Sequence, residues 1–418
     1  MTIQKPREIA LEVLSKRVRT QGFTEDLLDR RVADSEMPTV DRGLCRELVF
    51  GCVRWERTLD HLIDARIKDR EPPAIARNIL RLGLYQLFWL DRIPEHAAVN
   101  ESVALAKSSG ASRLKGFINA VLRHYQRESE STRKDLQTWR EEQPGLGHSH
   151  PDWLVNRWRD QFGTEATSCL LEWNNVPARN FARVNTLKID ADALAARWAD
   201  EGVSFKPFAA DWAPGLFFEI DKAPAIAELP SFRDGCFYLQ DPSTALACQT
   251  LDPQPGESIL DLCAAPGGKT TLMAQLADDE AEIVAHDKSA KRLRRVRENC
   301  ERLGVKSVRE FISTPEQLKD RKFDKILLDV PCSNTGVLRR RIDLRWRLNE
   351  SEIDRLSKFQ RALIDQAGEY LKPDGRLVFS TCSIESDENS NDLEFIESRQ
   401  LTPFNDGVDG AFAGILKT

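Results

Sequence analysis

A chain of 418 residues is long enough for two or three domains, each burying its own core. Sixty Lys and Arg against 66 Asp and Glu leave a net charge of −6, so no global positive field draws it onto nucleic acid, and RNA contact must use local patches. Nine cysteines without a C-x-x-C pair and six histidines without ligand spacing argue against a zinc site or a disulfide framework.

The apolar run at 82–90 is broken by Gln86 and too short to span a bilayer, and Lys5, Arg7 and Glu8 leave no room for a signal peptide. The expectation is a cytoplasmic protein with no membrane contact and no metal. From about residue 6 to 128 the pattern is helical. Pro6 sits where a first helical turn tolerates it, and Ile9, Ala10, Val13, Leu14 and Val18 fall on one face. Further helical spacing runs over 42–55, 59–68, 74–90, 96–108 and 114–126, which predicts an all-α N-terminal bundle. His96 and His124 read as surface or satisfied residues. The stretches IPEHAAVNESVALAK (93–107) and KGFINAVLR (115–123) resemble the NusB-type helical RNA-binding domain, and that resemblance implies contact with RNA.

Residues 129–150 are polar, carry Pro144, Gly145 and Gly147, and read as a linker with room for a short exposed helix. From 151 to 257 the pattern is mixed. PDWLVNRWRDQF is amphipathic, FARVNTLK and GLFFEI read as strands, and ADALAARWADEG as a helix closed by Gly202. This is a small α+β module, expected to position RNA. Trp153 and Trp158 could stack on bases, with core packing the plainer reading.

After Gly256 strands and helices alternate. Strands are expected at 258–263, 282–287, 308–312, 324–329 and 375–381, a doubly wound parallel sheet forming an α/β Rossmann-like domain over 258–418. Asp261, Asp287, Asp329 and Cys382 fall at carboxyl ends of strands, where such sheets hold ligands. The segment SILDLCAAPGGKTT runs from buried strand through a small-residue turn into a helix, which lets a ligand approach the backbone. It is neither G-x-G-x-x-G nor G-x-x-x-x-G-K-[ST]. An acidic strand end, a glycine turn and a second acid at Asp287 for ribose hydroxyls suit a nucleoside without phosphates and with a cationic centre. S-adenosylmethionine fits. Two basic runs, KRLRRVR at 291–297 and RRRIDLRWR at 339–347, are the local patches available for RNA, a solvated helix face being the plainer reading of the first.

Two strand ends deliver cysteines, LLDVPCSNTG with Cys332 and VFSTCSIESDEN with Cys382. C5 of cytosine accepts a methyl group only after a nucleophile adds at C6, and a thiolate suits both that addition and a later departure. Asp329 is placed to bond the ring nitrogen where charge develops. Spacing does not rank the two cysteines.

CAAPGGKT, the D-x-P-C-S-x-T-G segment and T-C-S followed by Glu388 and Asn389 resemble the RNA 5-methylcytosine methyltransferases of the NOL1/NOP2/Sun family. The helical front end and module order resemble those members that modify 16S rRNA. The resemblance implies Cys382 as nucleophile and Cys332 as the release cysteine. It implies cofactor contacts from Cys263, Ala264, Ala265, Pro266, Gly267, Gly268 and Lys269, and at Asp287 and Asp329. Where the family places an acid after the third strand, this chain has Ser313, which can still accept one hydrogen bond. Where the family's arginine-rich loop has proline, this chain has Ile342, before Asp343 and Trp346. The alternatives are transfer RNA as substrate and an RNA-binding assembly factor with weakened catalysis. A DNA enzyme would need a target-recognition insertion after its Pro-Cys motif, and none follows here.

Overall fold

The computed structural model describes residues 5–417 apart from 18, 21, 68–70, 214 and 391. The chain divides into two units, Met1–Val176 with Arg345–Arg347, and Pro177–Leu344 with Leu348–Thr418.

The first unit is helical. Its helix Pro6–Arg17 buries Ile9, Ala10, Val13 and Leu14 as their spacing requires; Val18, the last of that expected face, lies outside the described residues, as does Lys68. Helices follow at Thr39–Arg54, Glu56–Asp64, Ala74–Trp89, Glu95–Ser108 and Lys115–Arg127. The helix Ala74–Trp89 is buried almost all round. The helix Thr24–Ala33 was not legible, because it buries little beyond Leu28 and Val32. The polar stretch after residue 128 carries the helix Ser129–Glu142, whose buried residues are Thr132 and Leu136. Trp158, with 0% of its surface exposed, belongs to the core and is closed to bases. Arg345 is as deeply buried, donating to the backbone oxygens of Arg54, Ser149 and Asn174.

The second unit holds two sheets. A four-stranded antiparallel sheet contains β1 (Asn180–Val184), β2 (Ser204–Phe208), β3 (Phe217–Lys222) and β4 (Phe237–Leu239), in the order β2-β3-β1-β4. The helix Ala191–Glu201 drives Trp198 into its aromatic core beside Phe205, Phe218 and Phe237, and Gly202 in the left-handed region ends that helix.

The larger sheet has seven strands: β5 (Ser258–Asp261), β6 (Glu282–His286), β7 (Val308–Ile312), β8 (Phe323–Asp329), β9 (Leu371–Thr381), β10 (Phe395–Leu401) and β11 (Ala411–Leu416), ordered β10-β11-β9-β8-β5-β6-β7. The first five are parallel, giving the expected Rossmann-like fold. Its central strands are covered on both faces. Ile259 and Leu327 enter one apolar core, and Leu260, Ile326 and Leu328 the other. The strands β10 and β11 add an antiparallel edge that the parallel-sheet expectation lacked. After β7 the chain crosses back to the far side of β5, so the order reverses between β5 and β8. A crevice opens at that switch point, beyond the carboxyl ends of the strands. Among the described residues no helix is long and apolar enough to cross a membrane, and no group of three or more His, Cys, Asp or Glu is placed to hold a metal ion.

Candidate active site

The turn after β5 is built around Gly267, whose φ of +101° few side chains adopt. A Cβ there would also meet Val296 Cγ1 at 3.0 Å. The turn's carbonyls are held from outside. Arg292 Nη2 donates to Ala265 O at 2.7 Å, Asn299 Nδ2 to Pro266 O at 3.0 Å and the buried Arg183 to Gly268 O at 2.8 Å. The helix Gly268–Leu276 then brings Lys269 back over the strand ends.

Lys269 Nζ lies 2.8 Å from Asp329 Oδ2 at the end of β8. Burial works against the lysine's charge, but Asp329 outweighs it and holds the ammonium above its ordinary value. Asp261, at the end of β5, accepts from Thr270 Oγ1 at 2.6 Å through one carboxylate oxygen, while the other has no hydrogen-bond partner among the described residues. Burial pushes its carboxyl up to about 7. At the end of β6, Asp287 accepts from the Ser289 amide at 2.9 Å and pairs with Arg292 at 3.0 Å.

The two cysteines meet. Cys332 follows β8, Cys382 follows β9, these strands are neighbours, and the sulfurs lie 3.3 Å apart. The contact with Cys382, together with burial, pushes the Cys332 thiol well above its ordinary value. Cys263 lines the two cavities at this junction too, and burial pushes its thiol up to about 12.

Beneath the pair lies Glu388, with 0% of its surface exposed. It accepts from the Ser333 amide at 2.9 Å, from the Ser333 hydroxyl and from Gln360 Nε2 at 3.0 Å. Gln360, on the helix Glu350–Gly368, also donates to Pro331 O at 3.0 Å. One buried carboxylate thus ties the Cys332 loop to the segment after Cys382. Asn389 completes it, accepting from Thr381 Oγ1 and donating to Ser383 O.

Two cavities share this junction. One of about 430 Å³ is lined by Phe181, Tyr238, Asp241, Arg340, Arg341 and Cys382 among others. The second, of about 340 Å³, is lined by Asp287, Lys288, Phe359, Pro331, Cys332 and Cys382. Cys263, Ala265, Lys269, Asp329, Asn334 and Cys382 line both. Ala264, Pro266 and Gly268 line the first and Asp287 the second, whereas Gly267 shapes the turn from behind. Ser313, just past β7, lies outside the described linings of both.

The second basic run is not an open RNA patch. Arg339, with 2% exposure, and Arg340 both bond Asp409, and Arg340 reaches Asp241 at 2.8 Å. Burial and the neighbouring Asp241 push the Asp409 carboxyl up to about 6. Ile342 is buried where proline was expected. Sequence reasoning missed this cluster because its acids lie far along the chain. It passed over Asn334 although that residue stands inside the quoted cysteine segment. The first run behaves as a helix face: Leu293 and Val296 point inward on Ala290–Leu303, while Lys291, Arg294, Arg295 and Arg297 are exposed.

Three family profiles match the chain: a NusB family over residues 4–127, a ferredoxin-like domain of RsmF/B-like methyltransferases over 150–214, and 16S rRNA methyltransferase RsmB/F over 248–408. A probable ribosomal RNA small subunit methyltransferase B of Synechocystis is 37% identical, covering 93% of this chain and 88% of its own length. A ribosomal RNA small subunit methyltransferase B of Shigella sonnei is 38% identical, covering 87% of this chain and 82% of its own. The crystal structure of a methyltransferase homolog protein from Pyrococcus horikoshii superposes with a TM-score of 0.57 at 30% identity, over 66% of this chain and 97% of that one.

Proposed function

Since the chain belongs to the family of 16S rRNA methyltransferases RsmB/F, we propose that it transfers a methyl group from S-adenosylmethionine to C5 of a cytosine in small-subunit ribosomal RNA. The observation that carries this reading is the pair of sulfurs 3.3 Å apart, with Cys382 lining both cavities.

The second cavity suits the cofactor. Asp287 would take the ribose hydroxyls and Phe359 and Pro331 offer apolar surface to the adenine, while Asp261, which lines the first cavity beside the shared residues, suits the amino group of the methionine moiety. When bound, S-adenosylmethionine supplies an electrophilic methyl group. The first cavity takes the base. The Cys382 thiol loses its proton to solvent, the thiolate adds to C6, and the displaced ring electrons make C5 nucleophilic. Nitrogen 3 takes a proton from the Lys269–Asp329 pair as charge develops there, and returns it to the pair when the sulfur leaves. After C5 carries the methyl group, its proton must leave. The Cys382–C6 bond breaks, the C5=C6 double bond re-forms and the departing sulfur takes a proton from Cys332, which the C5 proton replaces. The outward face of Ala290–Leu303 meets RNA phosphates: among the described residues, Lys291, Arg294 and Arg295 form no ion pair.

The test is incubation with methyl-labelled S-adenosylmethionine and either unmodified small-subunit RNA or transfer RNA, followed by nucleoside analysis. Label in 5-methylcytidine from the ribosomal RNA is expected. Label in transfer RNA alone, or on another base or the ribose, would overturn the reading.

A further inference from the structure

Asn334 stands between the two sulfurs and the two cavities, and neither the motifs nor the family assignment gives it a task. It adopts φ +59° between Ser333 and Thr335, both buried, so its backbone is fixed. Ser333 is held by Glu388, and Thr335 accepts from the Ile384 amide at 3.2 Å. The carboxamide Nδ2 donates to Cys332 O at 2.6 Å. That bond decides which end of the amide is which, since a carbonyl can only accept. The other end, Oδ1, therefore faces Cys382, 3.1 Å from its sulfur. An amide oxygen accepts and never donates, so this contact exists only while Cys382 carries its proton.

We infer that Asn334 holds the Cys382 thiol protonated in the resting protein, and that a base entering the first cavity must turn the carboxamide aside before the sulfur can attack. This rests on the reading of Cys382 as nucleophile. A hydrogen bond made to the neutral form of a group disfavours its charged form. A thiolate at this position would lose the bond and meet the amide oxygen's lone pairs. The half-buried side chain lines both cavities, so an entering ring touches it. The arrangement leaves the sulfur quiet towards electrophiles until substrate is present.

Other titratable and charged groups surround the same sulfur and its cavity. Lys269 from the glycine-turn helix, Asp329 and Cys332 from the end of β8, Asp261 from β5, Arg340, Arg341 and Asp409 around the first cavity, and Glu388 beneath all remain when Asn334 alone is changed. A shift on removing its side chain therefore belongs to the amide. Glycine suits the left-handed backbone, so Asn334→Gly removes the contact without straining the turn.

The experiment measures iodoacetamide alkylation of Cys382 against pH, read by mass spectrometry of its own peptide, on the full chain without RNA or cofactor. Asn334→Gly should lower the midpoint by about 0.5 to 1 pH unit, the size of one modest hydrogen bond. Asn334→Asp, which keeps an acceptor and adds negative charge, should raise it. A midpoint in Asn334→Gly equal to or above that of the parent overturns the inference, as does a lowered one in Asn334→Asp. The acid limb of kcat/KM for RNA methylation should move down with the glycine variant's alkylation midpoint. If alkylation shifts and that limb does not, the inference about the thiol stands and Cys382 loses its place as nucleophile.

Discussion

Gly336→Ala is the sharpest perturbation of the cysteine junction. Gly336 does not need glycine for its backbone angles, so the effect is steric. An added Cβ would lie 2.6 Å from Cys382 O, 2.7 Å from Gly410 Cα and 2.9 Å from Gly410 O, all of them backbone atoms. Ordinary contact would require the Cys382 carbonyl to retreat by about 0.8 Å, and no flexible side chain is available to yield instead. Two hydrogen bonds stand in the way, Gly336 N to Cys382 O at 3.0 Å and Gly410 N to Gly336 O at 2.9 Å. Overpacking costs about 1–3 kcal/mol, and weakening the two bonds adds about 1 kcal/mol each. We expect a loss of about 3–5 kcal/mol in a urea titration. Because the atom displaced is the backbone of the nucleophile, single-turnover methyl transfer should fall by about 10²-fold where the fold survives. Gly368→Ala is the control: among the described residues nothing lies within 4 Å of its Cβ at the end of Glu350–Gly368, so stability should hold or rise by up to about 1 kcal/mol. Transfer within threefold of the parent at an unchanged urea midpoint in Gly336→Ala would refute the packing argument.

Two further outcomes follow from charge. Burial raises the Asp261 carboxyl from 3.8 to about 7, so the folded chain binds that proton more tightly than the unfolded one. The stabilisation is complete below the unfolded value and is lost as pH rises through about 7, on the order of 3 kcal/mol between about pH 5 and about pH 8. Asp261→Asn should flatten that part of the pH dependence in urea titrations; an equal loss in parent and variant would contradict it. Changing Lys291, Arg294 and Arg295 together to Gln should reduce the slope of log affinity for ribosomal RNA against log salt by about 2–3. An unchanged slope in filter binding would make that helix face mere solvated surface.

What was legible in the chain was mostly local. The glycine turn and both cysteines announce themselves because each follows a short apolar run, Ile259–Leu260, Ile326 to Leu328 and Leu377 to Phe379, that only a buried strand explains. The edge strand Phe395–Leu401 hid because its middle, Ile396 to Arg399, faces solvent and shows no alternation. The run beginning at Arg339 looked like a nucleic-acid patch because a sequence shows its cations, while Asp241 and Asp409 that neutralise them come from remote segments. Glu388 was visible as a motif residue, but its three bonds, two from Ser333 and one from Gln360, needed three dimensions. Asn334 was passed over for the same reason, its meaning lying wholly in a sulfur on another strand.

The central claim is that Cys382 bonds the target base while Cys332 lets it go. Cys332→Ala protein, incubated with RNA and S-adenosylmethionine, denatured, digested and mapped by mass spectrometry, should carry a nucleotide on the peptide containing Cys382. No adduct in that variant, or the same adduct accumulating in Cys382→Ala, would contradict the account.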